Sequence, residues 1–231
     1  MFQISSYRSG FGYEYPPEFL MQAPALITEK GRMPMEVKLL TSPASLKDME
    51  QYAALAALTC HANTEKPYVP QEVLGRIIKL GHESILEHIN LKYSVKGLSR
   101  ACLQEVSRHR YISLSVESTR HTLKQYMEKG SILIYTPKTM EQDLRRMIYG
   151  YLKVIYEYLM VHPEVPNDHL KYAIPEAIAT NLILTVNIRE LRHILKLRTA
   201  PAALNEFRVL AYSLYEAVPE EYRYMLADCV Y

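Results

Sequence analysis

The stretch from Ser99 to Leu123 sets Arg100, Arg108, His109, Arg110, Arg120 and His121 among Ser99, Ser107, Ser113, Ser115, Ser118 and Thr119. So many cations cannot be folded into an apolar interior, where each would need a partner. A stretch so built suits an anion such as a phosphate, or an electron-rich ring. Its first part reads as a helix, because Cys102, Val106 and His109 recur on one side while Arg100, Gln104 and Arg108 line the adjacent side. The helix ends in Arg-His-Arg. From Tyr111 to Ser118 the apolar Ile112, Leu114 and Val116 alternate with hydroxyls, as in a loop or short strand. A basic helix end has a plainer reading too, compensation of the macrodipole on a solvated face, and the tripeptide alone does not choose between them.

The chain has 231 residues, 48% of them apolar, which suits one compact domain with a sizeable core. That domain is expected over 35–231, behind an aromatic and Pro-rich extension, 1–34, to which no function is assigned. The net charge of +2 gives no whole-chain field for nucleic acid or an acidic membrane, so the basic cluster is local. A nucleic-acid-binding module using the same segment would need a basic face. Cys60, Cys102 and Cys229 are odd in number and form neither CxxC nor a Cys/His ligand pattern, as in a reduced cytoplasmic protein. No membrane-length apolar run or secretory signal pattern is present, so a soluble, untargeted protein is expected.

A mixed α+β order emerges along the chain. A strand is predicted at Glu36 to Leu40, then an Ala/Leu-rich helix to about Cys60, with start signals at Ser42-Pro43 and at Ser45 and Asp48. Val73, Ile77, Ile78 and Leu80 make a short amphipathic helix released by Gly81. Ile89 to Val95 alternates as a strand, Lys96-Gly97-Leu98 turns, and Ser99 caps the arginine-rich helix. A polar segment after Leu123 holds a short strand, Ile132 to Tyr135. Met140 to His162 is a long helix striped by Leu144, Met147, Ile148, Tyr151, Leu152, Ile155 and Leu159, for core or subunit contact. Leu182 to Val186 is an apolar strand, and Ala200 to Val218 a final helix with Leu204, Phe207, Leu210, Leu214 and Val218 as core.

Between those last two elements, Ile188 to Leu197 projects Ile188, Leu191, Ile194 and Leu195 on one face and Arg189, His193 and Lys196 on the other. Arg198 falls on the apolar face. Either the helix stops at Leu197, or Arg198 is buried against something polar. Upstream, His82 and His88 lie six apart rather than the four of HExxH, so no metal site is expected. Ser84 and Glu87 between them have a local reading as caps of the next element.

Arg108-His109-Arg110, followed after seven residues by Ser118 and then Arg120, resembles the signature of the flavin-dependent thymidylate synthases. Gly81 to His88 is similar to that family's GHxSxxEH segment, and Asn187-Ile188-Arg189 and Leu197-Arg198 to its NxR and LR segments, in the family's order. The resemblance implies an α+β subunit of helices and antiparallel sheet, assembled as a homotetramer with shared active sites. It implies FAD as cofactor and reductive methylation of dUMP to dTMP, with methylenetetrahydrofolate as one-carbon donor and NADPH as reductant. It places Ser84, Glu87, Arg108, His109, Arg110, Asn187, Arg189 and His193 at the flavin, with His82 near. It places Glu105, Arg108, Ser118, Thr119, Arg120, Lys171 and Arg198 at dUMP, Ser118 for binding rather than as a nucleophile. It implies that Arg198 is the catalytic residue, contacting the uracil and assisting ionisation of N3.

The chemistry agrees with that assignment: no cysteine lies in a motif that lowers a thiol pKa, and side chains cannot supply a hydride. Two departures stand out. Lys171 replaces the family's usual Arg four residues before the Pro and loses the bidentate fork, and Ser115-Val116 replaces a polar pair, with Glu117 expected to point elsewhere. They motivate an alternative, a catalytically impaired member that binds flavin and nucleotide as an oligomer.

Overall fold

The computed structural model of the protein describes residues 7–8, 14–15, 35–129, 132–138 and 140–231. Its elements in chain order are β1 (Tyr7–Arg8), β2 (Glu14–Tyr15), β3 (Glu36–Leu39), α1 (Pro43–Thr59), α2 (Pro70–Lys79), a 3-10 helix (Glu83–His88), β4 (Asn90–Ser99), α3 (Arg100–Ser107), β5 (Ile112–Val116), α4 (Thr119–Glu128), α5 (Gln142–Val161), α6 (Asn167–Ala173), β6 (Ala179–Asn187), α7 (Ile188–Arg198), α8 (Asn205–Glu216) and 3-10 turns at Glu220–Met225 and Ala227–Cys229. Apart from β1 and β2, which pair antiparallel, the 1–34 extension lies outside the described residues.

The chain divides into two compact units. The larger comprises Met33–Ser118, Ile134–Thr139 and Glu176–Tyr231. It holds an antiparallel sheet in the order β3-β4-β6-β5. Period-two alternation buries Leu91, Tyr93 and Val95 on β4 and Leu182, Leu184 and Val186 on β6, while Lys92 and Ile183 face outward. Against the buried face pack Leu46, Ala53 and Ala54 of α1, Leu74 of α2, Cys102 and Val106 of α3, Leu191, Ile194 and Leu195 of α7, and Phe207, Leu210 and Leu214 of α8. This is an α+β unit with one sheet and one core.

Several expectations are corrected here. Lys96-Gly97-Leu98 does not turn the chain: β4 runs on to Ser99 through a bulge between Val95 and Leu98. Gly97 takes φ +75 there, and its N–H donates to Asn181 Oδ1 at 3.1 Å. The bulge leaves Leu98 and Ser99 both buried and so aims the start of α3 inward. Ser42, not Ser45, caps α1, accepting the Ser45 N–H at 3.2 Å. Leu80 is exposed at the end of α2, and Gly81 leaves the helix with φ +73. Ile134 makes only an isolated bridge with Ile178 where a strand over Ile132 to Tyr135 is predicted. Leu204 precedes α8 and is exposed.

The smaller unit comprises Met1–Arg32, Thr119–Leu133 and Met140–Pro175. Its α4 runs from Thr119 across Leu123 into the segment that reads as polar. The stripe of α5 divides: Leu152, Ile155 and Leu159 are buried, whereas Leu144, Met147 and Tyr151 are exposed. No helix among the described residues is long and apolar enough to cross a membrane.

Candidate active site

The bulged end of β4 delivers Ser99 as the N-cap of α3. Its Oγ accepts the Cys102 N–H at 2.9 Å and donates to Glu206 Oε2 at 2.5 Å, while its N–H donates to Glu206 Oε1 at 2.7 Å. The first turn of α3 is thereby pinned to α8. Burial pushes the Glu206 carboxyl above the usual range, and the Ser99 hydrogen bonds oppose that rise. Cys102 and Val106 go into the core, while half-buried Glu105 leaves the last turn of the helix and buried His109 follows just past its C-cap, Arg108.

They meet α7. Asn187 caps this helix by accepting the Glu190 N–H at 2.8 Å, and the helix runs through Arg198, so the second alternative for that residue holds. Arg198 Nε donates to His109 Nε2 at 3.2 Å and Nη1 donates to Glu105 Oε2 at 3.1 Å. Its guanidinium carbon lies 4.6 Å from the Phe207 ring centroid. On the other side of the imidazole, His109 Nδ1 is 3.0 Å from Glu190 Oε1, and both residues are buried.

A guanidinium only donates, so His109 Nε2 must present a lone pair and Nδ1 must carry the proton that Glu190 accepts. The ring is neutral in this arrangement. Burial lowers its pKa below the ordinary value; the Glu190 hydrogen bond pulls it up, and the Arg198 charge lowers it further. His109, Glu190 and His193 offer ligand atoms within 4.8 Å of one another. Both His109 nitrogens are already engaged and a guanidinium sits against one of them, which makes this a hydrogen-bonded cluster rather than a cation cage.

Other donors stand on or next to α3 and α7. Arg108, at the C-cap of α3, is exposed and only 3.7 Å from Glu105 Oε1; Arg110 is exposed beyond it. His193 is exposed on α7, its ring 5.8 Å from that of His109. Arg189 pairs with Glu87 at 2.5 Å, joining α7 to the 3-10 helix on which Ser84 and Glu87 are exposed, with exposed His82 just ahead. On β5, Ser113 and Ser115 face outward, and half-buried Val116 packs on the core. Glu117 does point elsewhere, accepting from Asn181 Nδ2 at 2.7 Å.

In the smaller unit, α4 carries buried Thr119 and exposed Arg120, and α6 carries exposed Lys171. Arg120 grips Asp168 with two bonds, Nε to Oδ1 at 2.6 Å and Nη2 to Oδ2 at 2.9 Å. That pairing raises the Arg120 pKa and lowers that of Asp168. Lys171 lies three residues after Asp168 on the same helix. Ser118 ends the neighbouring segment of the larger unit, half-buried.

The structure therefore gathers Glu105, His109, His193 and Arg198 in one cluster, and pairs Glu87 with Arg189. Asn187 differs from the expectation in one respect: its side-chain oxygen is engaged in capping α7, leaving only its amide N–H donors to face a ligand. Glu190 and Phe207 escaped as site residues, as did buried Arg192, whose guanidinium meets Glu83 at 3.0 Å and Asp228 at 2.6 and 2.7 Å. The signal lies at the two borders of the apolar face of α7: projected on the helix, Glu190 falls beside Ile194 and Arg192 beside Ile188, where an ionised group requires a partner.

Against known proteins, the family model described as "Thymidylate synthase complementing protein" matches residues 39–222. A curated flavin-dependent thymidylate synthase of Helicobacter pylori (strain J99) is 36% identical over 167 residues, covering 68% of this chain and 79% of the relative. This chain belongs to the flavin-dependent thymidylate synthase family. The enzyme of that name from Campylobacter jejuni (strain RM1221) is 35% identical over 168 residues, with 70% of this chain and 81% of the relative covered. A crystal structure of H. pylori thymidylate synthase X with FAD and dUMP superposes with a TM-score of 0.74 at 32% identity, covering 85% of this chain and 99% of that one. The Arg-His-Arg cluster of this chain is thus carried on the architecture of a flavin-dependent thymidylate synthase.

Proposed function

We propose that this chain binds FAD and dUMP and forms dTMP, taking the carbon from methylenetetrahydrofolate and the reducing equivalents from NADPH. The observation that carries the reading is the Arg198 guanidinium, held at Nε by His109, at Nη1 by Glu105 and beneath by Phe207. Family membership supplies the substrate class.

The donor set suits a flavin dinucleotide: exposed Arg108, Arg110, Arg189 and His193 offer cations and N–H donors to a diphosphate and to ring carbonyls, and Ser84 offers a hydroxyl. Glu87 acts there by orienting Arg189, and Asn187 through its amide N–H donors. Bound FAD would supply the hydride that no side chain can. Both buried thiols are unfit for the alternative of nucleophilic activation, since burial raises the pKa of Cys102 and pushes that of Cys229 up to about 11.

Arg198 is the residue assigned to the uracil. A guanidinium only donates, and its N–H groups stabilise negative charge on the base as N3 ionises and at the adjacent carbonyl. Glu105 and neutral His109 hold it in place, and Arg108 borders both ligands. Ser118, Thr119, Arg120 and Lys171 are assigned to the sugar and phosphate, with Lys171 acting as a point charge.

A homotetramer with shared active sites accords with the exposed Leu144, Met147 and Tyr151 of α5, which suit a subunit contact. Free Cys60, Cys102 and Cys229 suit a reducing cytoplasm. Half-buried Val116 and the Lys171 exchange favour, as second reading, a member that binds both ligands without turnover. Purified protein distinguishes the two. The enzyme is yellow, oxidises NADPH in a dUMP-responsive way and yields dTMP; a yellow protein yielding no dTMP supports the second reading, and a colourless one that gains no flavin on titration overturns both.

A further inference from the structure

Glu190 stands outside every motif of the family signature, yet it is buried at the end of a hydrogen-bonded series that leads to Arg198. It is 8% exposed, at the border of the apolar face of α7, and its Oε1 lies 3.0 Å from His109 Nδ1. The backbone of α7 is already capped by Asn187, so the Glu190 side chain is not required as the helix N-cap. Its one hydrogen-bonded partner among the described side chains is an imidazole whose opposite nitrogen receives the Arg198 Nε–H.

Histidine has two neutral tautomers, and only one of them fits. With the proton on Nε2, two donors would face each other between His109 and Arg198, and the Glu190 carboxylate would be buried against a lone pair. With the proton on Nδ1, all three groups are satisfied. An unpaired buried group costs enough to decide such a choice. We propose that Glu190 is a positioning residue of the reaction: by accepting the Nδ1–H of His109 it selects the tautomer whose Nε2 holds Arg198 Nε, and so aims the guanidinium.

The inference rests on Arg198 acting on the uracil as proposed above. Glu190 acts through His109 and is assigned no contact of its own with substrate or cofactor. Its requirement is for an acceptor rather than a charge, and its mark is a loss in kcat and in the His109 tautomer with KM little moved, which a purely structural role would not give. Glutamine at 190 can still accept through its amide oxygen, whereas leucine of similar size cannot.

The test compares wild-type protein, Glu190→Gln and Glu190→Leu, each with FAD, by steady-state dTMP formation and by NMR of histidine-selective 15N-labelled protein, with His109→Gln assigning the resonance. In the wild type, the His109 ring should carry its proton on Nδ1. Glu190→Leu should lose that tautomer and about 100-fold in kcat, with KM for dUMP changed far less, as expected when a reacting group is misaimed. Glu190→Gln should keep the tautomer and recover kcat to within about threefold of wild type, since a neutral acceptor replaces a charged one in the same place.

Protonation of His109 on Nε2 in the wild type overturns the proposal, as does Glu190→Leu with wild-type kcat, or Glu190→Gln as impaired as Glu190→Leu. If Glu190→Leu does not fold, the wild-type tautomer and Glu190→Gln decide. If the wild type binds flavin and dUMP but makes no dTMP, the functional reading fails on that control, and the positioning role in catalysis with it; the tautomer measurement then still shows whether the Glu190–His109–Arg198 series exists.

Discussion

Arg198 lies over the face of Phe207, its guanidinium carbon 4.6 Å from the ring centroid, while the same ring meets the His109 imidazole nearly edge-on at 5.7 Å. One core side chain thus supports both the cation and the histidine that orients it. Arg198→Ala is expected to abolish dTMP formation while retaining flavin, because the donors to the base are lost and the residues assigned to the flavin remain. Flavin absorbance of the purified variant and a dTMP assay check this; normal turnover would refute the role of Arg198.

Phe207→Ala should be costly twice. The ring is 1% exposed, and its removal is expected to destabilise by about 3–5 kcal/mol through lost burial and a cavity. Phe207→Leu fills most of that space, so it should restore much of the stability while leaving kcat depressed. Urea unfolding beside turnover separates the two effects.

Arg120 is held by Asp168 through two bonds within its own unit, so a nucleotide phosphate must compete with a carboxylate for it. Arg120→Ala should raise KM for dUMP by about 10- to 100-fold, the scale of a lost charge-assisted contact, with a smaller change in kcat. Arg120→Lys keeps the charge but not the fork and should fall between. Initial-rate kinetics over dUMP concentration decide; unchanged KM in Arg120→Ala would remove it from the phosphate site.

Asp228 anchors the C-terminal turn to buried Arg192 with bonds of 2.6 and 2.7 Å, and those bonds lower its pKa below the ordinary carboxylate value. A depressed folded-state pKa contributes stability that is present above the unfolded value, about 3.9, and is lost as pH falls through the folded value. Asp228→Asn should therefore be less stable at pH 7, by about 1 kcal/mol, since the half-exposed carboxyl is screened by solvent. The deficit should shrink as pH drops below about 4. Denaturant melts across that range test the sign; a deficit that grows in acid would contradict it.

Ser99 caps α3 and binds Glu206 at once, so Ser99→Ala should cost about 1–2 kcal/mol from the cap and more from a carboxylate left short of a donor. Thermal unfolding measures it, and Ser99→Thr, which keeps the hydroxyl, should recover most of the loss.

Much of this was legible beforehand because helix and strand periods are local. The spacing of Cys102, Val106 and His109, and of Ile188, Leu191, Ile194 and Leu195, announced which sides would be buried, and the structure buries them. The missed features involve partners far apart in the chain. Nothing near Gly97 distinguishes a turn from a bulge, since a positive φ serves both; the pairing of β4 with β6 and the Asn181 side chain select the bulge. Helix α4 carries no such signal, because its polar composition gives little apolar periodicity.

By itself the sequence determined the α+β order, the cationic stretch and the family to which those arginines belong, since these depend on residue types at short spacing. Tertiary structure alone decided that Arg198 stays in the helix, that a neutral His109 receives it, and that Glu190 lies behind that histidine. The physical reason is that a charged group on an apolar face has no fixed meaning until burial removes water and the fold brings its partner from a distant segment.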